Sequence, residues 1–264
     1  MTYPDIELYR ELVTFCNDHK NEIESKFEIN LEFNEFHEKC FIEMYLNNKS
    51  NEEPLKPILL KEKVEGLTEV YKKAGGHFWK PRNKMIKGLD IQKGQWFEKA
   101  FQMFLKNKGI TVEKKGFPFP DYEVQENGKP KAYYELKYIE SPFLSANSQI
   151  KNPFPYKISR WDYEASLTLD TGEKLLTQRN KIQTDLIENN FPVFYLWWFD
   201  SPHLKGLFYM PAQEVFEFWD KVGVLHERKE REGDLIDKQE KGKIYPPLLK
   251  MNSISSLLNK LSNA

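Results

Sequence analysis

The sequence predicts an α/β protein: an α/β/α core around a mixed sheet of four to five strands, with a helical region N-terminal to it. Three observations carry this. Apolar residues near the N-terminus recur at three-and-four spacing, the mark of amphipathic helices. Short apolar runs bounded by turn residues follow between Ile110 and Met210, as strands require. Helical patterns stand before and among those runs, so strands and helices must pack as layers. With 264 residues, 40% hydrophobic and including 19 Phe, 13 Tyr and 6 Trp, the chain has apolar surface enough to fill such a core and is not a disordered polymer.

In order along the chain, Leu8, Leu12 and Phe15, beside Tyr9, Val13 and Cys16, predict a first helix, and Phe33, Phe36, Cys40, Phe41 and Met44 a second. Together they read as an amphipathic helical hairpin in a segment whose acids outnumber its bases. From Tyr71 to Gly94 the sign reverses: Lys72, Lys73, Lys80, Arg82, Lys84, Lys87 and Lys93 face the single acid Asp90. Gly75-Gly76, Pro81 and the interleaved His77, Phe78 and Trp79 make this a loop or ribbon. Basic and aromatic groups together suit a phosphate backbone and stacked bases, and a solvated lysine-rich connector has the same composition. A helix from about Gly94 to Lys106 presents Phe97, Phe101, Phe104 and Leu105 on one face and stops at Asn107-Lys108-Gly109. Strands are expected at Ile110 to Lys115, Asp121 to Gln125 and Lys131 to Ile139, the last two joined by the hairpin turn Asn127-Gly128. A connection from Glu140 to Thr171 leads to a helix from Gly172 to Asn189. A buried central strand at Phe191 to Phe199, an outer strand at Lys205 to Met210, a helix at Pro211 to Val222 and a charged connector at His226 to Lys243 complete the pattern. The divisions expected are a helical region at 1–70, a basic connector at 71–93, the core at 94–212, and a C-terminal helical tail at 213–264 packing on that core.

Composition narrows the function classes. The 39 basic and 40 acidic residues leave a net charge of −1, so any nucleic-acid surface is a local patch and not the whole molecule. The longest apolar stretch falls well short of the roughly 20 residues a membrane-crossing helix needs. No basic, apolar leader opens the chain, and two cysteines are too few for a disulfide framework. A cytoplasmic protein without a membrane partner is the expectation. Gly-rich phosphate loops, Gly-x-Ser-x-Gly elbows and His-Glu-x-x-His pairs do not occur.

The chemistry concentrates in the middle of the chain. On the third strand Lys131, Tyr133, Glu135 and Lys137 share one face, while Ala132, Tyr134, Leu136 and Tyr138 take the other and can pack under a helix. The hairpin returns Asp121 beside Glu135, bringing two carboxylates and an ammonium to one edge of the sheet. Hard oxygen donors of this kind suit Mg²⁺. A lysine two residues from a ligand is placed to orient or deprotonate a water or to stabilise a charged transition state. Without the metal, Asp121 reads as a turn opener and Glu135–Lys137 as an exposed pair on a solvated face.

Pro120-Asp121 and Glu135-Leu136-Lys137 resemble the motif of the PD-(D/E)XK nuclease superfamily, the restriction-endonuclease-like fold, over about Gly94 to Phe199. Glu98, in Gly94-Gln95-Trp96-Phe97-Glu98-Lys99, resembles the helix glutamate of many members. The resemblance implies Asp121, Glu135 and Leu136 as metal ligands, Lys137 as catalytic lysine and Glu98 as auxiliary acid. It implies a Mg²⁺-dependent endonuclease acting on double-stranded DNA, most like a type II restriction enzyme. Such an enzyme works as a homodimer on a two-fold site beside a cognate methyltransferase. A repair or recombination nuclease, or an inactive nucleic-acid-binding protein of the same fold, are the alternatives. Lys80, Arg82 and Lys84 of the basic segment, and Lys174, Gln178 and Lys181 on one stripe of the second core helix, are the candidate DNA contacts. Glu123 shares a strand face with Asp121 and is a substitute or added ligand. Cys16-x-x-His19 and His37-x-x-Cys40 have spacing that suits either a zinc site or, since both cysteines fall on apolar helix faces, plain core positions.

Overall fold

Asn127 and Gly128 both take positive φ, 51° and 73°, the geometry a two-residue turn needs to follow the twist of its strands. That turn joins β2 (Tyr122–Glu126) to β3 (Lys129–Ile139), with β1 (Thr111–Lys114) antiparallel outside β2. The computed structural model describes residues 3–23, 29–49, 57–70, 72–73, 89–140, 169–170, 179–222, 226–227, 242–244 and 246–263. After β3 come β4 (Leu169–Asp170), β5 (Val193–Asp200), β6 (Lys205–Pro211), β7 (His226–Glu227), β8 (Gly242–Ile244) and β9 (Asn252–Ser253).

Among the described residues the main sheet has six strands in the order β1-β2-β3-β5-β6-β9, not the four to five expected. β3 and β5 run parallel and every other pair is antiparallel. β6 is therefore not the outer strand, because Phe208 and Tyr209 pair with Ser253 and Asn252 of β9. A two-residue strand is too short to show an alternation in sequence. β4, β8 and β7 form a second, small sheet, so the ends of the expected charged connector carry strand structure.

Helices cover both faces of the main sheet. On one side lie α1 (Pro4–Asp18), α4 (Leu89–Asn107) and α7 (Ile254–Asn263), with Tyr9, Phe97, Phe101, Leu257 and Leu261 packed on Tyr134, Leu136 and Trp198. The other side carries α2 (Glu35–Phe41), α3 (Pro57–Lys63) and α6 (Ala212–Val222), whose Phe41, Leu60, Val215 and Trp219 pack with Tyr195, Trp197 and Phe208. The expected helical hairpin is thus split: α1 and α2 bury their stripes on opposite faces of the sheet. Each faces a broad aromatic sheet surface that offers more apolar area than the partner helix could. Local signals still set their starts. Pro4 stands at the first turn of α1, where its missing N–H costs nothing. Asn34 and His37 form a reciprocal capping box at α2.

α4 begins at Leu89, five residues before the expected Gly94. Gly94 lies inside it with no atom within 4 Å of where a Cβ would stand. The helix runs through a residue that weakens it by about 1 kcal/mol because Trp96, Phe97 and Phe101 behind it are buried. The second core helix is described only from Arg179, as a π-helical turn Arg179–Gln183 followed by α5 (Thr184–Glu188). Arg179 lies over the Phe216 and Trp219 rings and pairs with Asp220, fastening this turn to α6.

Tyr9 ties the first helix to the central strand. Its hydroxyl donates to the Phe199 carbonyl at 3.2 Å and accepts from Trp198 Nε1 at 3.0 Å. Tyr9→Phe should cost about 1–3 kcal/mol, since it leaves a buried indole N–H without its acceptor. Urea denaturation of the two proteins checks this; equal midpoints would mean that the hydroxyl is dispensable.

Candidate active site

The start of β2 and the middle of β3 are locked by reciprocal hydrogen bonds. The Asp121 N–H donates to Glu135 Oε2 at 3.2 Å, and the Leu136 N–H donates to Asp121 Oδ2 at 2.9 Å. Glu135 Oε1 accepts from Lys137 Nζ at 2.6 Å. Strand alternation puts Glu135 and Lys137 on one face, and the ammonium folds back over the carboxylate. Glu135 is only 4% exposed, so the pair does not lie on a solvated face. A buried carboxylate of this kind needs its partners, because removing one would strand a charge. A third of the Lys137 side chain is exposed.

Charge in the cluster is out of balance. Burial first, then the Glu135 charge, lifts Asp121 from its ordinary value of 3.8 to about 7, with Glu98 adding to the rise; Lys137 and the Leu136 N–H act in the opposite sense. Burial opposes the Lys137 charge, but Glu135 and Asp121 overcome it and hold the ammonium above its usual range. The site therefore has two adjacent hard carboxylates and one cation. A further positive charge would relieve the repulsion felt at Asp121. That donor set, with the Leu136 carbonyl between Glu135 and Lys137, fits a hard divalent cation.

The other expected acids are placed differently. Glu98, on α4, is within electrostatic reach of Asp121 but pairs with Lys114 at 3.0 Å. Glu123 is buried and bound elsewhere, accepting from Gln125 Nε2 at 2.9 Å and pairing with Lys115 at 3.2 Å. Burial would raise its pKa, yet hydrogen bonds from Gln125, Tyr133 and Lys115 bring it below the ordinary value. Among the described residues no group of three or more His, Cys, Asp or Glu gathers as a cation site, so the candidate centre is a carboxylate pair.

Of the expected DNA contacts, Lys80, Arg82, Lys84, Lys174 and Gln178 lie outside the described residues, and Lys181 is described only as backbone within the π-helical turn. Lys93, at the end of the basic segment, is bonded to Glu140 at 2.7 Å. The zinc arrangement is not assembled. Cys16 and Cys40 belong to the two different cores, on opposite faces of the sheet. His19 stacks on Phe15, His37 caps α2, and burial pushes both thiols up to about 12. Core cysteines are what the structure shows.

Two residues beside the site were not singled out from sequence. Tyr195 pairs in register with Glu135 across the parallel β3–β5 ladder, and its hydroxyl donates to Gln183 Oε1 at 2.8 Å. A tyrosine within an almost wholly apolar strand was the available signal, since a buried phenol requires a partner. Among the described residues no helix is long and apolar enough to cross a membrane.

No family model and no curated protein matches the sequence. Among solved structures the chain is similar to Hjc, a Holliday junction resolvase from Archaeoglobus fulgidus, at 13% identity and a TM-score of 0.34. The alignment covers 63% of this chain and 96% of that one.

Asp121 makes stability depend on pH in a definite direction. Its folded value, about 7, lies above its ordinary 3.8, so the folded protein holds the extra proton between those values and loses that stabilisation as pH rises. In EDTA, the unfolding free energy should fall from about pH 4 to about pH 7, and Asp121→Asn should flatten the fall. Denaturant titrations across that range measure both; parallel curves for the two proteins would show that Asp121 is not the group responsible.

Proposed function

We propose that the protein is a Mg²⁺-dependent endonuclease that hydrolyses phosphodiester bonds of double-stranded DNA, and that it acts as a type II restriction enzyme. The observation that carries the reading is the interlock of Asp121 and Glu135 with Lys137 on Glu135 Oε1 at 2.6 Å. It supports the likeness to the PD-(D/E)XK motif by bringing all three side chains of that motif to one place.

Asp121, Glu135 and the Leu136 carbonyl would hold the cation. A divalent ion held there would supply neutralisation of charge on a phosphate and a more acidic bound water. Lys137, kept protonated by its two acidic neighbours, serves as a fixed positive charge that orients the water and meets the charge developing on phosphate. An ammonium with a raised pKa is a poor general base at neutral pH. Glu98, turned to Lys114, is at most an auxiliary acid. The restriction assignment, with a homodimer on a two-fold site and a cognate methyltransferase, draws on the length of chain beyond the paired motif, which leaves residues for base contacts.

Single-turnover cleavage at fixed Mg²⁺ tests the roles. Glu135→Ala and Lys137→Ala should each lose cleavage, Lys137→Ala by about 10²–10³ in rate, the cost of removing one preorganised stabilising charge. Only Glu135→Ala should also weaken Mg²⁺ binding strongly, with circular dichroism confirming that both fold. Full activity in both would place the chemistry elsewhere. With mixed-sequence plasmid, discrete bands in Mg²⁺ and none in EDTA are expected; cutting confined to branched substrates would replace restriction by a junction or repair role, and binding without cutting would remove the enzyme. Replacing Lys80, Arg82 and Lys84 by Ala should flatten the salt dependence of DNA binding by about one log–log unit for each phosphate no longer neutralised. An unchanged slope would make the basic segment a connector.

A further inference from the structure

Both oxygens of Glu135 are engaged: Oε2 accepts from the Asp121 N–H and Oε1 from the Lys137 ammonium. A cation that takes Oε1 must displace Lys137, for an ammonium and a divalent ion repel at such range. The displaced ammonium keeps its charge; with a third of the side chain exposed, a fixed acceptor at the site would hold it there instead of releasing it to solvent.

Tyr195 is placed to be that acceptor. It stands directly across from Glu135 in the β3–β5 register, on the same sheet face, while Lys137 folds back two residues to reach that carboxylate. The phenol is therefore within electrostatic reach of the ammonium. Burial, and next the Glu135 charge, raise the Tyr195 pKa while Lys137 draws it down, so the three groups feel one another and the phenol remains neutral. Its proton is given to Gln183 Oε1 at 2.8 Å, which leaves the oxygen lone pairs as its remaining capacity. Gln183 is completely buried, and its Nε2 has no hydrogen-bond partner among the described residues. Keeping a buried amide half-satisfied is costly, and orienting the Tyr195 hydroxyl is a use that accounts for it.

We propose that Tyr195, oriented by Gln183, is a positioning residue that receives the Lys137 ammonium when Glu135 turns to a divalent cation. The inference rests on the metal-site reading of Asp121 and Glu135. Its consequence is that the cation and the lysine occupy the site together instead of competing for one oxygen.

Calorimetric titration of the full-chain protein with Mg²⁺ or Mn²⁺, without DNA, tests this. Tyr195→Phe keeps the ring that packs on Trp197 and Phe216 and should weaken cation binding by about tenfold or more, the effect of losing a hydrogen bond to a charged group. In a Lys137→Met background, with no ammonium to receive, the same Tyr195→Phe change should have no effect. Gln183→Leu should weaken binding in the parent and leave the Lys137→Met protein unchanged. A structural role would shift affinity equally in both backgrounds, and that outcome, or no loss in the parent, overturns the proposal while the metal-site reading stands. No cation binding by the parent protein overturns both.

Discussion

A strand covered by helices on both faces has no solvated side on which to place a charge, and β5 is such a strand. From Val193 to Phe199 every side chain is buried, alternating between the two cores. Its parallel partner β3 shares that burial in its middle, so any ionisable group there must be matched by a neighbour. Glu135 meets this condition through Lys137 and the Asp121 N–H. Asp121 in turn reaches the Leu136 N–H, which fixes the start of β2 against β3. Arrangement of the acids and packing of the sheet are thus one constraint seen from two sides.

Within that constraint, neighbouring acids acquire opposite character. Asp121 stands just before β2 and Glu123 within it, two residues on. Glu123 is surrounded by Lys115, Gln125 and Tyr133, and its carboxylate is more comfortable ionised than in water; Asp121, next to Glu135, is less so. A satisfied acid has little to gain from a cation, whereas a frustrated one has a good deal. This difference separates the site from the polar patch beside it more sharply than sequence spacing does.

Much of this was legible in the sequence. Asn127-Gly128 fixed the hairpin and with it the return of Asp121 to Glu135. The alternation of Tyr133, Glu135 and Lys137 against Ala132, Tyr134 and Leu136 placed each on its observed face. What sequence did not convey depends on distant parts of the chain. β9 is two residues long and is defined only by its pairing with β6. α1 and α2 separate because each meets a larger aromatic surface on the sheet than on the other. Tyr195 and Gln183 come together through a hydrogen bond that no periodicity encodes. Charge alone also could not tell Glu98, which pairs with Lys114, from the acids that meet between the start of β2 and the middle of β3.

The joint between α1 and α7 bears on how the molecule is made. Asp5 accepts from the Ser255 N–H at 3.1 Å across 250 positions of sequence, and both helices close the same core over Trp198. During translation the first of them emerges long before its neighbour, and loop closure over so great a separation is slow. Until the ribosome delivers α7, one aromatic face of the sheet lacks part of its cover. A nascent chain is therefore exposed to aggregation through that face, and chaperone demand should be set by the arrival of α7 and not of α1.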